Sequence, residues 1–353
     1  MKPRPVPWGF TLVELVLSMA LIGLLTMLLA SMTNSTAFTW RYTSGKIEQF
    51  RAATSAFETM TRRLSQATLN TSWDYHYPNG DTTKAPDKYI RQSDLRFLSG
   101  RMETLVGTST PRRPTHGIFF QAPLGYADDT TDFGGLDNLL NTWGYYLEFN
   151  KDTRPPFLDA LPHPPPVRNR FRLMELMQPS NKLTIYSQSS GHPDYVGHEW
   201  FTDGLNAANP PVHVLAENVI AMVLLPKLSK VEDPTAIKLS PDYSYDSTYD
   251  SLAVNPSSDP GLNPKNQLPP VVQVTLVAMD EASALRMSDA DFANLAAKVD
   301  SLFTTASQFE TDLRKQPAGT ADTSLESYLI SHKIGYRIFT ANVSLRGAKW
   351  SRK

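Results

Sequence analysis

Two stretches of this sequence hold side chains whose types and spacing could do chemistry, and a third holds one carboxylate in an improbable place. "GHPDYVGHEW" gathers His192, Asp194, His198 and Glu199. A zinc site wants nitrogen and oxygen ligands converging from one face with a further ligand brought in. The spacing here is not HExxH, and the glycines and proline mark a turn-rich loop. "PDYSYDSTYDSL" sets Asp242, Asp246 and Asp250 at every fourth position, with Asp259 beyond. Calcium takes several oxygen ligands, which a flexible acidic loop can supply, but the EF-hand pattern is missing. Structural calcium on these three aspartates and a solvated acidic loop interleaved with tyrosines both stay open. The third feature is Glu14, the sole charge in the apolar run from Phe10 to Ser31. No GxSxG elbow, Walker loop or dinucleotide fingerprint occurs, so catalysis has no motif to rest on and no enzyme is expected.

The chain that must position these residues has 353 residues, 41% hydrophobic and 20% charged, the proportions of a globular protein of one or two domains. A formal charge of −1 without any long basic run gives no reason to expect nucleic acid as a ligand. With no cysteine there is no disulfide and no thiolate metal site, and the redox compartment is left undecided.

The run from Phe10 to Ser31 is longer than the roughly 18 apolar residues that suffice for a spanning helix, and no proline interrupts it. Lys2 and Arg4 precede it and the next cations are Arg41 and Lys46, a bias that puts the N-terminus in the cytoplasm and everything past about residue 35 outside. A cleaved secretory signal ending near Ala37 is one alternative, although the run is long for that and begins with an acid. A plain signal anchor is another, and it leaves "GFTLVEL" without a reason.

Beyond the membrane the helical pattern continues. Ile47, Phe50, Ala53, Phe57, Met60, Leu64 and Ala67 recur at three- and four-residue steps, with Glu48/Arg51 and Glu58/Arg62 placed for side-chain pairing on the outer face. A continuous helix from Phe10 to Leu69 would be roughly 90 Å long. After "TSWDYHYPNGD" the pattern changes to short β-branched and aromatic runs between turn residues. The strands expected are "GIFFQA", "GYYLEF", "RFRLMELM", "KLTIYS", "NVIAMVLLP", "PVVQVTLVAMD" and "YRIFTANVSL". The fold class that follows is α+β, a mostly antiparallel sheet carried on a long N-terminal helix. Two insertions interrupt the sheet. Residues 226–270 are rich in Pro, Ser, Asp and Asn and read as a surface excursion that cannot bury much. Residues 288–332 open on a Ser288/Asp291 capping box and place Phe292, Leu295, Val299, Leu302, Ala306, Phe309 and Leu313 at heptad spacing, which predicts a helix of about seven turns.

Gly9 followed by "FTLVEL" resembles the signal of type IV prepilins and type II secretion pseudopilins: a short basic leader, glycine, phenylalanine, glutamate at the fifth mature position, and an apolar helix. "EQFRAATSAFETMTRRLSQATLN", "FRLMELMQPSN", "PDYSYDST", "LPPVVQVTLVAMDEASALRM" and "LRGAKWS" are similar to the large prepilin-like proteins called Verru_Chthon cassette protein C, themselves broadly similar to the minor pseudopilin J class. The first motif covers only the N-terminal helix; the later ones extend the resemblance over most of the chain.

The resemblance implies a pilin-like fold in four parts. Residues 1–9 would be the leader, 10–33 the membrane-spanning and assembly half of the helix, 34–70 its amphipathic half, and 71–353 a periplasmic β-rich head. It implies cleavage by prepilin peptidase after Gly9, N-methylation of Phe10, and pairing of Glu14 in one subunit with the Phe10 amine of another. Loss of the leader takes the formal charge from −1 to −3. The implied partners are the peptidase, other pilin or pseudopilin subunits and the inner membrane. The implied role is a structural subunit of a type IV pilus-like or type II secretion-like fibre, minor or tip rather than major, because so bulky a head stacks poorly along a shaft. The alternative is a membrane-anchored periplasmic binding or enzymatic domain that does not polymerise. The physical chemistry of Glu14 suits the first reading: about 6 Å along the axis from Phe10, it stays near the interface and near the positive end of the helix dipole.

Overall fold

The computed structural model describes residues 12–108, 111–152, 156–159, 161–164, 167–186, 197–317, 319 and 321–350, with backbone alone over 34–49 and at 130, 156 and 159. Gly9, Phe10, His192 and Asp194 lie outside the described residues. The chain divides into two units, Met1–Gln49 and Phe50–Lys353.

Over its described residues the first unit is one helix, α1 (Leu12–Gln49). The helix expected to run on to Leu69 instead lapses at Phe50, whose backbone leaves helical angles (φ −102°, ψ 4°) and whose ring is buried in the core of the second unit. Helix α2 (Arg51–Leu64) follows and buries Ala53, Ala56, Met60 and Leu64 along one face. It ends where the chain takes up sheet partners, Thr68 N–H donating to the Gln121 carbonyl at 2.9 Å.

The second unit is α+β, and among the described residues every strand pairs antiparallel. Hairpin β1 (Ser72–His76) and β2 (Lys88–Gln92) stands alone. Strand β3 (Leu98–Arg101) leads into the short α3 (Met102–Val106), then β4 (His116–Pro123), β5 (Leu140–Lys151) and β6 (Asn169–Gln178). After α4 (Glu199–Asn206) come β7 (Val212–Glu217), β8 (Val219–Lys227) and the two-residue β9 (Tyr245–Asp246). The remainder is β10 (Val271–Met279), α5 (Glu281–Arg286), α6 (Asp289–Asp300), α7 (Phe309–Leu313), α8 (Leu325–Ser331) and β11 (Tyr336–Ser344). Sheet order is β7-β6-β5-β4-β3-β9 in one sheet and β11-β10-β8 in another.

Both sheets are covered on two faces, which is why their central strands read as nearly unbroken apolar runs. Ile118, Phe120, Trp143, Tyr145 and Leu147 turn to a core shared with α2 and with Met222, Leu224, Val272 and Val274 of the smaller sheet. Phe119, Tyr146 and Leu176 turn the other way, onto Trp200 and Phe201 of α4. Gly144 makes room for that second layer: a Cβ there would stand 2.3 Å from the Phe119 ring. The far face of β8 and β10 packs on α6 through Phe292, Leu295 and Val299.

Three further expectations need correction. The excursion 226–270 does bury side chains: Tyr243 and Tyr245 are enclosed, and β9 within it adds an edge to the larger sheet by pairing with β3. Tyr243 and Tyr245 reach the core, Tyr249 stays exposed, and the surrounding backbone bonds in turns. The seven-turn helix from Ser288 is several short pieces, because Phe303 adopts φ 56°, and the Asp312 carboxylate accepts its N–H at 2.8 Å. Every apolar position in the predicted heptad is nonetheless buried. "KLTIYS" forms no strand over its described residues, Lys182–Tyr186.

Candidate functional site

The first candidate is α1 itself. Its segment Leu12–Thr33 is 22 residues of mean hydropathy 2.4 with no part buried, the one helix among the described residues long and apolar enough to cross a membrane. At about 1.5 Å per residue it extends about 33 Å, the thickness of a bilayer's hydrocarbon core. Three of its hydroxyls bond back to the helix. Ser18 donates to the Glu14 carbonyl at 2.6 Å, Thr26 to Ile22 at 2.9 Å and Thr33 to Leu29 at 2.8 Å. In hydrocarbon, where no water can serve them, that back-bonding removes a cost of several kcal/mol per orphaned group. Glu14 sits in the first turn of α1.

The aspartate loop has a different use. Asp242 accepts the Ser244 N–H at 3.2 Å, and Asp246 accepts the Thr248 N–H and hydroxyl at 2.8 and 2.7 Å. Asp250 caps a helical turn through the Leu252 and Ala253 N–H groups and also takes Asn263 and Lys265. Burial works against the Asp250 charge, but those donors hold its carboxyl below the usual range. Asp259 caps the next turn at the Gly261 N–H, 2.8 Å away. The regular spacing thus reflects successive turns. His198, the described histidine of "GHPDYVGHEW", lies just before α4 with Nδ1 3.0 Å from the Leu105 carbonyl, tying α4 to α3, and Glu199 opens α4. Among the described residues no three His, Asp or Glu side chains are grouped to hold a metal ion.

Two sites in the interior were not foreseen from the sequence. His116 is fully buried, with Nδ1 accepting the Leu224 N–H at 3.0 Å and Nε2 3.1 Å from the Phe303 carbonyl, so it bridges the two sheets and the segment after α6 as a neutral ring. Burial pushes its pKa down to about 4. Arg101 completes that clamp, donating to the carbonyls of Asp300 at 2.7 Å and Leu302 at 3.0 Å, where a cation also suits the helix end. Arg63 of α2 pairs with Glu175 on β6 and lies 4.2 Å over the Trp143 ring. Burial and the Glu175 charge drive the neighbouring Tyr145 phenol far up. Such groups fasten elements together; a lone His or Arg in the sequence carries no mark of that role.

The class these features define is an α+β protein with an apolar N-terminal helix long enough to cross a membrane and a mostly antiparallel sheet head. Compared with known protein families, curated proteins and solved structures, the chain matches none of them.

Proposed function

We propose that this chain is a prepilin-like structural subunit, cleaved after Gly9, N-methylated at Phe10 and held in the inner membrane by α1 until it assembles into a type IV pilus-like or type II secretion-like fibre as a minor or tip component. The observation that carries the reading is the joint one of Glu14 in the first turn of α1 and an otherwise uncharged, unburied apolar segment of 22 residues. An anchor alone needs no acid there. A carboxylate near the end of a membrane helix costs little while it stays by the interface, and in a bundle of such helices it attracts a terminal amine from a neighbour. A head of this bulk, with its excursion and its helical insertion, suits a fibre end, and its loops are where partners would be met.

Mass analysis of the N-terminus, after co-expression with an active prepilin peptidase, tests this directly. The expected product begins at N-methylated Phe10, and an intact leader overturns the proposal in favour of an anchored periplasmic domain. Glu14→Ala should still insert in the membrane yet enter crosslinked fibre complexes at no more than a tenth of the normal level; normal incorporation removes the pairing role.

A further inference from the structure

A cleft of about 580 Å³ opens on the head between hairpin β1–β2 and the excursion 226–270. Its volume falls within the ~300–1,000 Å³ common to small-ligand sites. Two indoles line it. Trp73 is 66% exposed on the hairpin, and Trp350 is turned and held by a hydrogen bond from its ring N–H to the Leu268 carbonyl. The walls are fastened to each other as well, since Asn266 of the excursion donates to the Arg91 carbonyl of β2 at 2.6 Å. The cleft is therefore preformed, which lowers the ordering cost of binding.

The hairpin is unusual in its own right. Trp73 stands opposite Arg91 and Tyr75 opposite Tyr89, so four large side chains share one face, with the guanidinium 5.3 Å over the Trp73 ring and the two tyrosine rings 5.1 Å apart. Trp73, Tyr75 and Tyr89 are all largely exposed. Nothing in the cores of the head uses them.

Around the indoles the cleft carries charges of both signs: Arg91 and Lys238 as donors, Glu232 and Asp259 as acceptors. Lys265 adds a third cation, paired with Asp250 at 3.1 Å, and local bonds orient the others: Lys238 donates to the Glu232 carbonyl at 3.2 Å, Ser229 to the Glu232 carboxylate at 3.2 Å, and the Gly261 N–H to Asp259 at 2.8 Å. That near balance argues against a polyphosphate ligand, which calls for a surplus of cations. The open, partly polar lining argues against an acyl chain, which would want an enclosed apolar slot. The ligand that answers to all of it has an apolar face bearing C–H groups to lie on an indole, and an edge of hydroxyls that both donate and accept. Those are the properties of a pyranose ring. We propose that this cleft binds a short oligosaccharide, one ring stacked on Trp73 and a neighbouring ring or its substituent on Trp350, with Arg91, Lys238, Glu232 and Asp259 reading the hydroxyls. This binding is independent of how the chain is mounted in a membrane.

The test uses the full chain in a detergent without a sugar headgroup, applied to an array of neutral and acidic oligosaccharides and then titrated calorimetrically with those retained. At least one class of oligosaccharide should bind saturably. Trp73→Ala should weaken it at least tenfold, and Glu232→Gln severalfold, with the melting temperature of the head unchanged. Should Trp73→Ala unfold the head, Lys238→Ala at an exposed side chain carries the same test, with a severalfold loss expected. Absence of any retained oligosaccharide at millimolar concentration overturns the proposal. So does affinity that the substitutions leave unaltered, or competition for the cleft by a peptide from a random library in place of a sugar.

Discussion

The helices α1 and α2 adjoin in sequence and differ in how their side chains are satisfied. From Leu12 to Thr33 apolar residues face every direction, all are exposed, and Ser18, Thr26 and Thr33 bond back to their own helix. From Arg51 to Leu64 the apolar residues keep to one stripe, that stripe is buried, and Arg63 reaches out of the helix to Glu175. A helix apolar all round needs an apolar solvent, whereas a one-sided helix makes its own by lying on a sheet. The same cylinder of hydrogen bonds is thus put to two uses, and the switch falls at Phe50, the first residue of the compact head.

Substitutions on the two helices should separate those uses. Met60, fully buried under α2, is the sharpest probe: Met60→Ala should lower the unfolding free energy of the head by about 2–5 kcal/mol. Leu24→Ala on α1 should leave it within about 0.5 kcal/mol. Denaturant titration of the full chain in detergent reads both, and equal losses would end the distinction. In the reverse direction, Ile22→Arg should add about 2.5–3.5 kcal/mol to membrane insertion while the head melts as before. The measurement is the membrane-bound fraction after fractionation beside a thermal melt.

Acid should strike the head through His116. Its folded pKa of about 4 lies below the ordinary 6.5, so between those values the unfolded chain takes up a proton that the folded one refuses. The contribution of this group is therefore full above pH 6.5 and declines as the pH falls toward 4, by up to roughly 3 kcal/mol. Chemical denaturation at several pH values should show that slope, and His116→Gln should flatten it. The smallest effect is expected at the start of α6, where the Ser288 hydroxyl and the Asp291 carboxylate cap each other's N–H groups. Ser288→Ala should cost about 1 kcal/mol and leave membrane binding untouched.

How much of this could be read from the sequence differs by element. Five of the strands stand out as apolar runs because they are buried on two faces, so β4, β5, β6, β8 and β10 leave a strong imprint, while the edge strand β11 shows instead through its alternating apolar residues. The hairpin β1–β2 escapes notice because "SWDYH" and "KYIRQ" are exposed and polar, and β9 because two residues carry no period. The heptad from Phe292 to Leu313 marked the right side chains for burial but implied a helix too long, since spacing reports which residues face the core and not whether the backbone turns between them. The aspartates carry an ambiguity of a related kind: an Asx turn every few residues has the same spacing as a ligand set.

Local information in the chain was enough to determine an apolar helix with one acid in its first turn, an amphipathic helix after it, the capping box at Ser288 and a sheet of the antiparallel kind. The helices and the cap depend on hydrogen bonds and burial within a few residues, and the kind of sheet on the apolar and turn residues along each strand, although its pairings join distant segments such as Val271 and Ser344. Only the tertiary structure decided that the excursion 226–270 buries Tyr243 and Tyr245, that His116 is a neutral bridge, that the helix breaks at Phe303, and that Trp73 and Trp350, at opposite ends of the head's sequence, line one cleft. Those outcomes rest on contacts between residues far apart in the chain, whose energies no local pattern records.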